Sequence, residues 1–170
     1  MNFYYAKSCI ICFIIFILGC QTNENYSTDN PNIIIIYTDD LGYGDVSAYQ
    51  KGTLKTPNIV KLANEGIRFN YGYASSATCS PSRYALLTGK YPWRKDGLRV
   101  ITGGSLVIDT TEMTIPKLLK RKSYHTGIVG KWHLGLGSGD GVAGSGIIDY
   151  NSTISPGPNE VGFDYSHIMA

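Results

Sequence analysis

One uninterrupted apolar run, Ile33-Ile34-Ile35-Ile36-Tyr37, constrains the fold more than any other stretch of this sequence. A strand with apolar side chains at every position has no polar face, which predicts burial on both sides. Sheets covered on both faces are mostly parallel, and helices connect their strands. The sequence therefore predicts an α/β fold in which a mostly parallel sheet lies between helices.

Besides a helix that begins at Cys79, local signals predict four further elements after this strand. Capping residues, prolines at first helical positions and apolar residues at helical spacing indicate two helices, with Ile59, Leu62, Ala63, Ile115, Leu118 and Leu119 facing the core. Residues 91–109 and 136–158 are rich in glycine, serine or proline and are predicted as loops. The predicted elements are a helix between Thr56 and Gly66, a strand at Ile67–Tyr71, a helix from Pro116 through Lys122 and a second buried strand at His125–Gly130.

Length and charge limit the classes of function. The chain has 170 residues, which suggests one domain, and 43% hydrophobic residues are enough for a core. Its formal net charge is only +2, and no stripe of Lys and Arg is present. Nucleic acid is therefore not a predicted partner.

The first 30 residues predict export rather than a folded element. Lys7 precedes an apolar run, Ile10 to Leu18, that is too short to span a bilayer as a helix of about 20 residues. The run ends in Ile17-Leu18-Gly19-Cys20, which resembles a bacterial lipobox. We interpret residues 1–19 as a lipoprotein signal peptide, Cys20 as the lipid-anchored residue and residues 20–30 as a tether. An ordinary secretory signal and an uncleaved anchor are the alternatives.

Only one of the four cysteines, Cys79, lies beyond this leader, so an internal disulfide is not predicted. Cys79 begins a predicted helix in which Pro81 suits the first turn and Gly89 ends the last. Free backbone N–H groups and the positive end of the helix dipole make that position favourable for an anion. Arg83 follows one turn later, where its guanidinium can return to the same end. A buried, inert cysteine is the alternative interpretation.

Charged residues follow each of the two predicted buried strands. Asp39 and Asp40 come after the first, where adjacent carboxylates suit a hard divalent cation, or alternatively a turn with capping aspartates. Lys131 and His133 come after the second and would point the same way on an extended segment. A cation and an imidazole placed there suit a tetrahedral oxyanion. A surface lysine beside a structural histidine is the alternative.

Two strings in this sequence resemble the signatures of the type I sulfatases. They are Cys-x-Pro-Ser-Arg-x-x-x-Leu-Thr-Gly, beginning at Cys79, and Gly-Lys-Trp-His-Leu-Gly, beginning at Gly130. The resemblance covers 31–170, and Ser123 departs from it where the family usually has glycine. It implies an alkaline-phosphatase-like α/β sandwich, of which residues 31–170 would be the N-terminal part of the catalytic domain. The chain would be truncated, without the later metal ligands, and inactive alone.

The resemblance also implies a site and a reaction. Cys79 would be converted to Cα-formylglycine by a formylglycine-generating enzyme, and Ca²⁺ would bind to Asp39, Asp40 and the modified Cys79. The hydrated aldehyde, a gem-diol, would attack the sulfur of a sulfate ester. Arg83 and Lys131 would offset negative charge, and His133 would orient the diol. Export as a cell-envelope lipoprotein, in the periplasm or at the cell surface, is consistent with a sulfated polysaccharide as substrate.

Two other functions remain open on the sequence. Phosphonate or phosphodiester hydrolases of the same superfamily share Cys-x-Pro-Ser-Arg, although Gly-Lys-Trp-His-Leu-Gly favours a sulfatase. A truncated, non-catalytic lipoprotein that binds sulfated glycans is the other alternative.

The lipobox predicts a lipid on Cys20. Growth with a labelled fatty acid should label the protein, and Cys20→Ala should abolish the label because no acceptor thiol remains at the cleavage position. Cys12→Ala, which removes a leader cysteine outside the lipobox, is the matched control and should leave the label in place. Labelling that persists in Cys20→Ala would contradict the prediction.

Overall fold

The structure, a computed structural model, describes residues 30–50, 52, 54–100, 103–138, 148 and 151–169. The predicted signal peptide, Cys20 and nearly all of the tether lie outside these residues. The chain divides into two compact units, Met1–Thr38 and Asp39–Ala170. Within the described residues no helix is long and apolar enough to cross a membrane.

The apolar run of the first unit is not a strand, so the prediction of a strand buried on both faces is wrong. Residues 33–37 have no ladder pairing, and Ile34 and Ile36 are 84% and 80% exposed. A parallel strand is buried only where neighbouring strands and covering helices surround it. The described residues of this unit, 30–38, contain no other strand with which the run could pair.

The described residues of the second unit form three helices and a small parallel sheet. Two short 3₁₀ turns are also present, Tyr43–Asp45 before the first helix and Pro92–Arg94 between the second and third helices. The helices and strands are α1 (Pro57–Glu65), α2 (Cys79–Thr88), α3 (Ile115–Lys120), β1 (Gly127–Lys131) and β2 (Tyr165–Met169).

The predicted helices are confirmed, because their signals are local. Helix α2 begins at Cys79 and ends where Gly89 adopts a left-handed φ of 68° and donates its N–H to the Ala85 carbonyl, at 2.9 Å. Thr114 caps α3 by accepting the Lys117 N–H. Thr56, predicted to cap α1, instead exchanges hydrogen bonds with Ser47.

The predicted core faces of α1 and α3 are only partly correct. Ile59 and Leu62 on α1 are 40% and 65% exposed, and Leu118 on α3 is 54% exposed. Amphipathic spacing identifies the apolar side of a helix, but burial requires a partner against which that side can pack. Ala63, Ile115 and Leu119 are half-buried.

Strands β1 and β2 pair in parallel, with Gly127 opposite Tyr165 and Lys131 opposite Met169. The strand predicted at His125–Gly130 is therefore present, but its predicted burial on both faces is wrong, since Val129 is 73% exposed. Strand β2 is not predicted from the sequence. The strand predicted at Ile67–Tyr71 is absent, and Ile67, Phe69 and Tyr71 are exposed.

Loops supply most of the core. Val107 donates its N–H to the Leu134 carbonyl at 3.0 Å, and Leu136 donates to the Gly104 carbonyl at 2.9 Å. This pairing buries apolar side chains from a segment that was predicted only as loop. The core residues are Tyr84, Leu106, Val107, Ile108, Trp132, Leu134, Leu136, Val161 and Phe163. Of the loop predicted at 136–158, residues 139–147 and 149–150 lie outside the described residues.

Two positions show why the sulfatase-like sequence needs glycine. Ser123, which stands where glycine is usual, has a φ of 62°, so the turn requires the left-handed conformation that glycine adopts freely. Gly135 has a φ of 76°, and a Cβ there would lie 2.0 Å from the Ser105 carbonyl oxygen. The backbone of the Ser105 segment therefore approaches a position that only glycine can occupy.

Gly135→Ala and Gly137→Ala form a matched pair that isolates this close approach. Both glycines have similar φ values, 76° and 78°, but the nearest atom to a Cβ at Gly137 is 4.0 Å away. We expect both substitutions to cost about 1–2 kcal/mol in unfolding free energy for the left-handed backbone. Gly135→Ala should cost about 2 kcal/mol more, because the Ser105 segment must move. Urea unfolding measures both, and equal losses would refute the steric account.

Candidate active site

Cys79 occupies the first position of α2, as predicted. The preceding residue, Thr78, is extended, and its carbonyl accepts the Ser82 N–H at 3.1 Å as the helix begins. The Cys79 thiol is free and half-buried. It is therefore a rigidly placed side chain at the N-terminal end of a ten-residue helix, where an anion is favoured.

Arg83, one turn after Cys79, joins three separate parts of the second unit. Its Nη1 donates to the Lys131 carbonyl at the end of β1, at 2.6 Å, and its Nη2 lies 3.3 Å from Oδ1 of Asp39. The Arg83 side chain is only 12% exposed. A planar guanidinium can contact a carbonyl and a carboxylate at once, so this residue fixes α2 against both.

Asp39 lies between two cations. Its Oδ2 accepts a hydrogen bond from Lys131 Nζ at 2.7 Å, while Oδ1 faces Arg83. The hydrogen bond from Lys131 is the main reason that the pKa of Asp39 lies below its usual value; partial burial opposes the shift and Arg83 adds to it. The structure thus brings together Asp39, Arg83 and Lys131, three residues predicted for the site from three distant strings.

The other predicted residues lie near these strings but are not bonded to that group. Asp40 is exposed and has a left-handed φ of 54°, a conformation that is costly without glycine and is common at functional sites. The extended segment expected through His133 ends at Lys131, and His133 has a φ of 52°. Its Nδ1 is buried, with no hydrogen-bond partner among the described residues.

The donor chemistry at Asp39 and Asp40 fits part of a calcium site. Adjacent carboxylates are hard oxygen ligands, and two of them would supply a share of the six to eight ligands that Ca²⁺ takes. Within the described residues, no group of three or more His, Cys, Asp or Glu side chains is arranged to hold a metal. Further ligands would have to come from other groups.

Glu112, which is not among the predicted site residues, binds side chains near the C-terminal end of α2. Glu112 Oε2 accepts a hydrogen bond from the Tyr84 hydroxyl at 3.0 Å and an ion pair from Lys90 at 2.9 Å. Burial, together with the negative charge of Glu112, raises the pKa of Tyr84 to about 12. No local pattern marks Glu112, because its partners lie 22 and 28 residues earlier in the chain.

Comparison with known proteins assigns the chain to a family. The family model described as Sulfatase matches residues 31–166. The chain belongs to the sulfatase family. An N-acetylgalactosamine-6-O-sulfatase of Bacteroides thetaiotaomicron is 44% identical over 161 residues, covering 92% of this chain and 30% of that protein. Human steryl-sulfatase is 42% identical over 120 residues, covering 66% of this chain and 21% of that protein.

Solved sulfatase structures share the fold. One, from work on glycosaminoglycan metabolism by Bacteroides thetaiotaomicron, matches with a TM-score of 0.75 at 47% identity over 82% of this chain and 28% of its own. Another, in complex with its substrate D-glucosamine-2-N,6-O-disulfate, matches with a TM-score of 0.57 at 38% identity over 67% of this chain and 22% of its own. The predicted alkaline-phosphatase-like α/β class is confirmed. The chain spans less than a third of the length of these relatives.

Lys131→Met tests the role of the lysine in keeping Asp39 ionised. Because the hydrogen bond from Lys131 is the main cause of the lowered pKa, the substitution should raise the pKa of Asp39 toward 3.8, its ordinary value. A carboxyl group whose pKa is lower in the folded chain than in the unfolded chain stabilises the fold at any pH above its ordinary pKa. That stabilisation disappears as the pH falls through the lowered pKa. Carboxyl NMR titration measures the shift.

Asp109 is the internal control for this titration. Hydrogen bonds from Thr111 are the main cause of its lowered pKa, and Lys131 does not contribute. Its titration should be the same in the native chain and in Lys131→Met. An unchanged pKa for Asp39 in the variant would contradict the assigned role of the lysine.

Proposed function

We propose that this chain carries the nucleophile and anion-binding part of an exported sulfatase that hydrolyses sulfate esters. The proposal rests on the convergence of Asp39, Arg83 and Lys131 next to the helix that begins at Cys79. Asp39 Oδ1 lies 3.3 Å from Arg83 Nη2, and Asp39 Oδ2 lies 2.7 Å from Lys131 Nζ. Strings separated by 44 and 48 residues meet in one polar cluster. Clusters of charged groups in which a pKa is shifted, as that of Asp39 is here, are typical of functional sites.

Arg83 and Lys131 are the residues that would meet the negative charge of a sulfate group. Arg83 is held by its bonds to Asp39 and the Lys131 carbonyl, so its orientation is fixed before a ligand arrives. The Lys131 side chain is 33% exposed, which leaves its ammonium accessible to a ligand oxygen. Preorganised cations stabilise charge that develops in the transition state. His133, with its buried Nδ1, is proposed to orient the hydroxyl groups at Cys79.

Two groups would complete the chemistry. Cα-formylglycine formed from Cys79 would, once hydrated, supply a hydroxyl that would attack sulfur and displace the alcohol of the ester. The second hydroxyl would then lose its proton, expel sulfate and restore the aldehyde. Asp39 and Asp40 would hold Ca²⁺, which as a Lewis acid offsets charge on sulfate oxygens. Lys131 and Arg83 keep Asp39 ionised, which is the form that a cation requires.

We propose a sulfated glycan as the substrate class. The support comes from relatives, one named an N-acetylgalactosamine-6-O-sulfatase and others solved with a neocarrahexaose and with D-glucosamine-2-N,6-O-disulfate. Anchoring through Cys20 would place such an enzyme in the cell envelope, where polysaccharides are accessible. A formylglycine-generating enzyme is the proposed maturation partner. No contact in the described residues favours a phosphonate or phosphodiester over a sulfate ester.

Mass spectrometry of the tryptic peptide that ends at Arg83 tests the central step. The full-length enzyme, made together with a formylglycine-generating enzyme, should carry the aldehyde or its hydrate at Cys79. Cys79→Ala should abolish sulfate-ester hydrolysis, because the variant has no side chain to convert. An active preparation whose peptide contains only unmodified cysteine would refute the proposal.

The matched control separates conversion from folding. Ser76→Ala removes a nearby half-buried hydroxyl outside the signature, so conversion of Cys79 should persist. Arg83→Ala should abolish conversion, because Arg83 belongs to the signature that the modifying enzyme reads. A protein that binds sulfated glycan but never hydrolyses it, with Cys79 converted, would favour the non-catalytic alternative.

A further inference from the structure

An exposed aromatic pair lies directly after α2. The rings of Tyr91 and Trp93 are stacked, with centroids 4.1 Å apart and planes inclined by 13°. Tyr91 is 54% exposed and Trp93 is 68% exposed. Each ring covers one face of the other, so the large exposed fractions leave their outer faces open to solvent.

The backbone holds this pair in place. Pro92, between the two aromatic residues, is buried and begins the 3₁₀ turn Pro92–Arg94. Arg94 donates its N–H to the Tyr91 carbonyl at 3.0 Å, and Lys95 donates to the Pro92 carbonyl at 3.1 Å. Aromatic side chains on a fixed turn lose little conformational entropy when a ligand packs against them.

Three cations flank the rings in the sequence, and two of them face acidic residues. They belong to residues 90–95, Lys-Tyr-Pro-Trp-Arg-Lys, which Asp96 follows directly. Lys90 is paired with Glu112, and Lys95 lies near enough to Asp109 to contribute to its lowered pKa. Arg94 is exposed and forms no ion pair within the described part of the chain. It is therefore the cation that remains available to a ligand.

We call the surface formed by Tyr91, Trp93 and Arg94 the aromatic–basic patch. It is distinct from the candidate active site. Cys79 begins α2, and the patch follows its end. Ten helical residues span about 15 Å, so the two lie at opposite ends of the helix. The hydrogen bonds among Asp39, Arg83 and Lys131 do not involve the patch.

We propose that the aromatic–basic patch binds a sulfated glycan chain at a position remote from the reaction. The C–H face of a sugar ring would pack on an aromatic face, whose electron-rich surface attracts the weakly positive hydrogens. The Arg94 guanidinium would bind a sulfate group on the same chain, since its planar fork matches tetrahedral oxyanions. The class of ligand rests on the proposed function and on the opposite charges of patch and glycan.

An anionic membrane would be a poorer match to the same residues. Trp, Tyr and Arg also occur at membrane interfaces. However, recognition of anionic lipid by a basic cluster takes about four to eight cations, whereas one unpaired arginine is present here. One cation beside two rigid rings suits a single sulfated sugar better than a charged sheet of lipid.

Affinity electrophoresis of the 170-residue chain tests the proposal. Gels contain either chondroitin 6-sulfate or the same polymer after chemical desulfation. Only the sulfated polymer should retard the chain, and added salt should weaken the retardation. Trp93→Ala and Arg94→Glu should each lower the affinity about tenfold, the loss expected when one stacking or charged contact is removed.

Matched controls make the result specific to the patch. Tyr71→Ala removes an aromatic ring that is 85% exposed elsewhere, and Arg121→Glu reverses an exposed cation on another surface, so both should bind like the native chain. Circular dichroism verifies that each variant is folded. The assay measures binding and not hydrolysis, so the patch can be tested even if the proposed chemistry fails.

Three outcomes would overturn the proposal. They are unchanged affinity in both patch variants, equal retardation by the desulfated polymer, and tighter binding to phosphatidylserine vesicles than to the glycan with the same dependence on Trp93 and Arg94. The last outcome would assign the patch to a membrane.

Discussion

The bond from the Arg83 guanidinium to the Lys131 carbonyl is the contact on which the geometry of the site depends. It spans 2.6 Å and joins helix α2 to the end of β1. The same guanidinium also contacts Asp39, so the Arg83 side chain holds three segments that are distant in sequence next to one another. The donor is charged and the side chain is mostly withdrawn from water, which makes such a bond stronger than a neutral one at the surface. Replacing Arg83 with lysine would lose the planar guanidinium and one of its two contacts.

Helix positions were predictable because the signals for starting and stopping a helix are local. Pro57, Thr114 and Gly89 act within one turn of their own position, and the structure places each at a helix end. Strands were harder to predict. The runs at 33–37 and 67–71 have strand-like composition but no ladder, whereas β2, with a less regular pattern, is paired. A strand depends on a neighbour that is distant in sequence, so composition alone predicts it poorly.

The candidate site was predictable to the extent that its residues lie in compact strings. Asp39, Arg83 and Lys131 were each selected from local sequence, and the structure brings them into contact. The left-handed backbones of Asp40 and His133 were not foreseen, because neither residue type demands that conformation. Glu112 was missed for a different reason: its role depends on Tyr84 and Lys90, which no spacing rule connects to it. The core formed by residues 104–108 was missed because glycines marked that segment as loop.

The parallel pairing of β1 with β2 has a consequence for synthesis of the chain. Gly127 pairs with Tyr165, so 38 further residues must be synthesised after Gly127 before β1 can pair with β2. At a translation rate of about 5–20 residues per second, β1 waits on the order of 2–8 seconds for its partner. During that interval the Lys131 carbonyl, which later orients Arg83, belongs to an unpaired strand edge. Exposed strand edges attract other chains, so a nascent molecule is most vulnerable to misassociation while this stretch is being made.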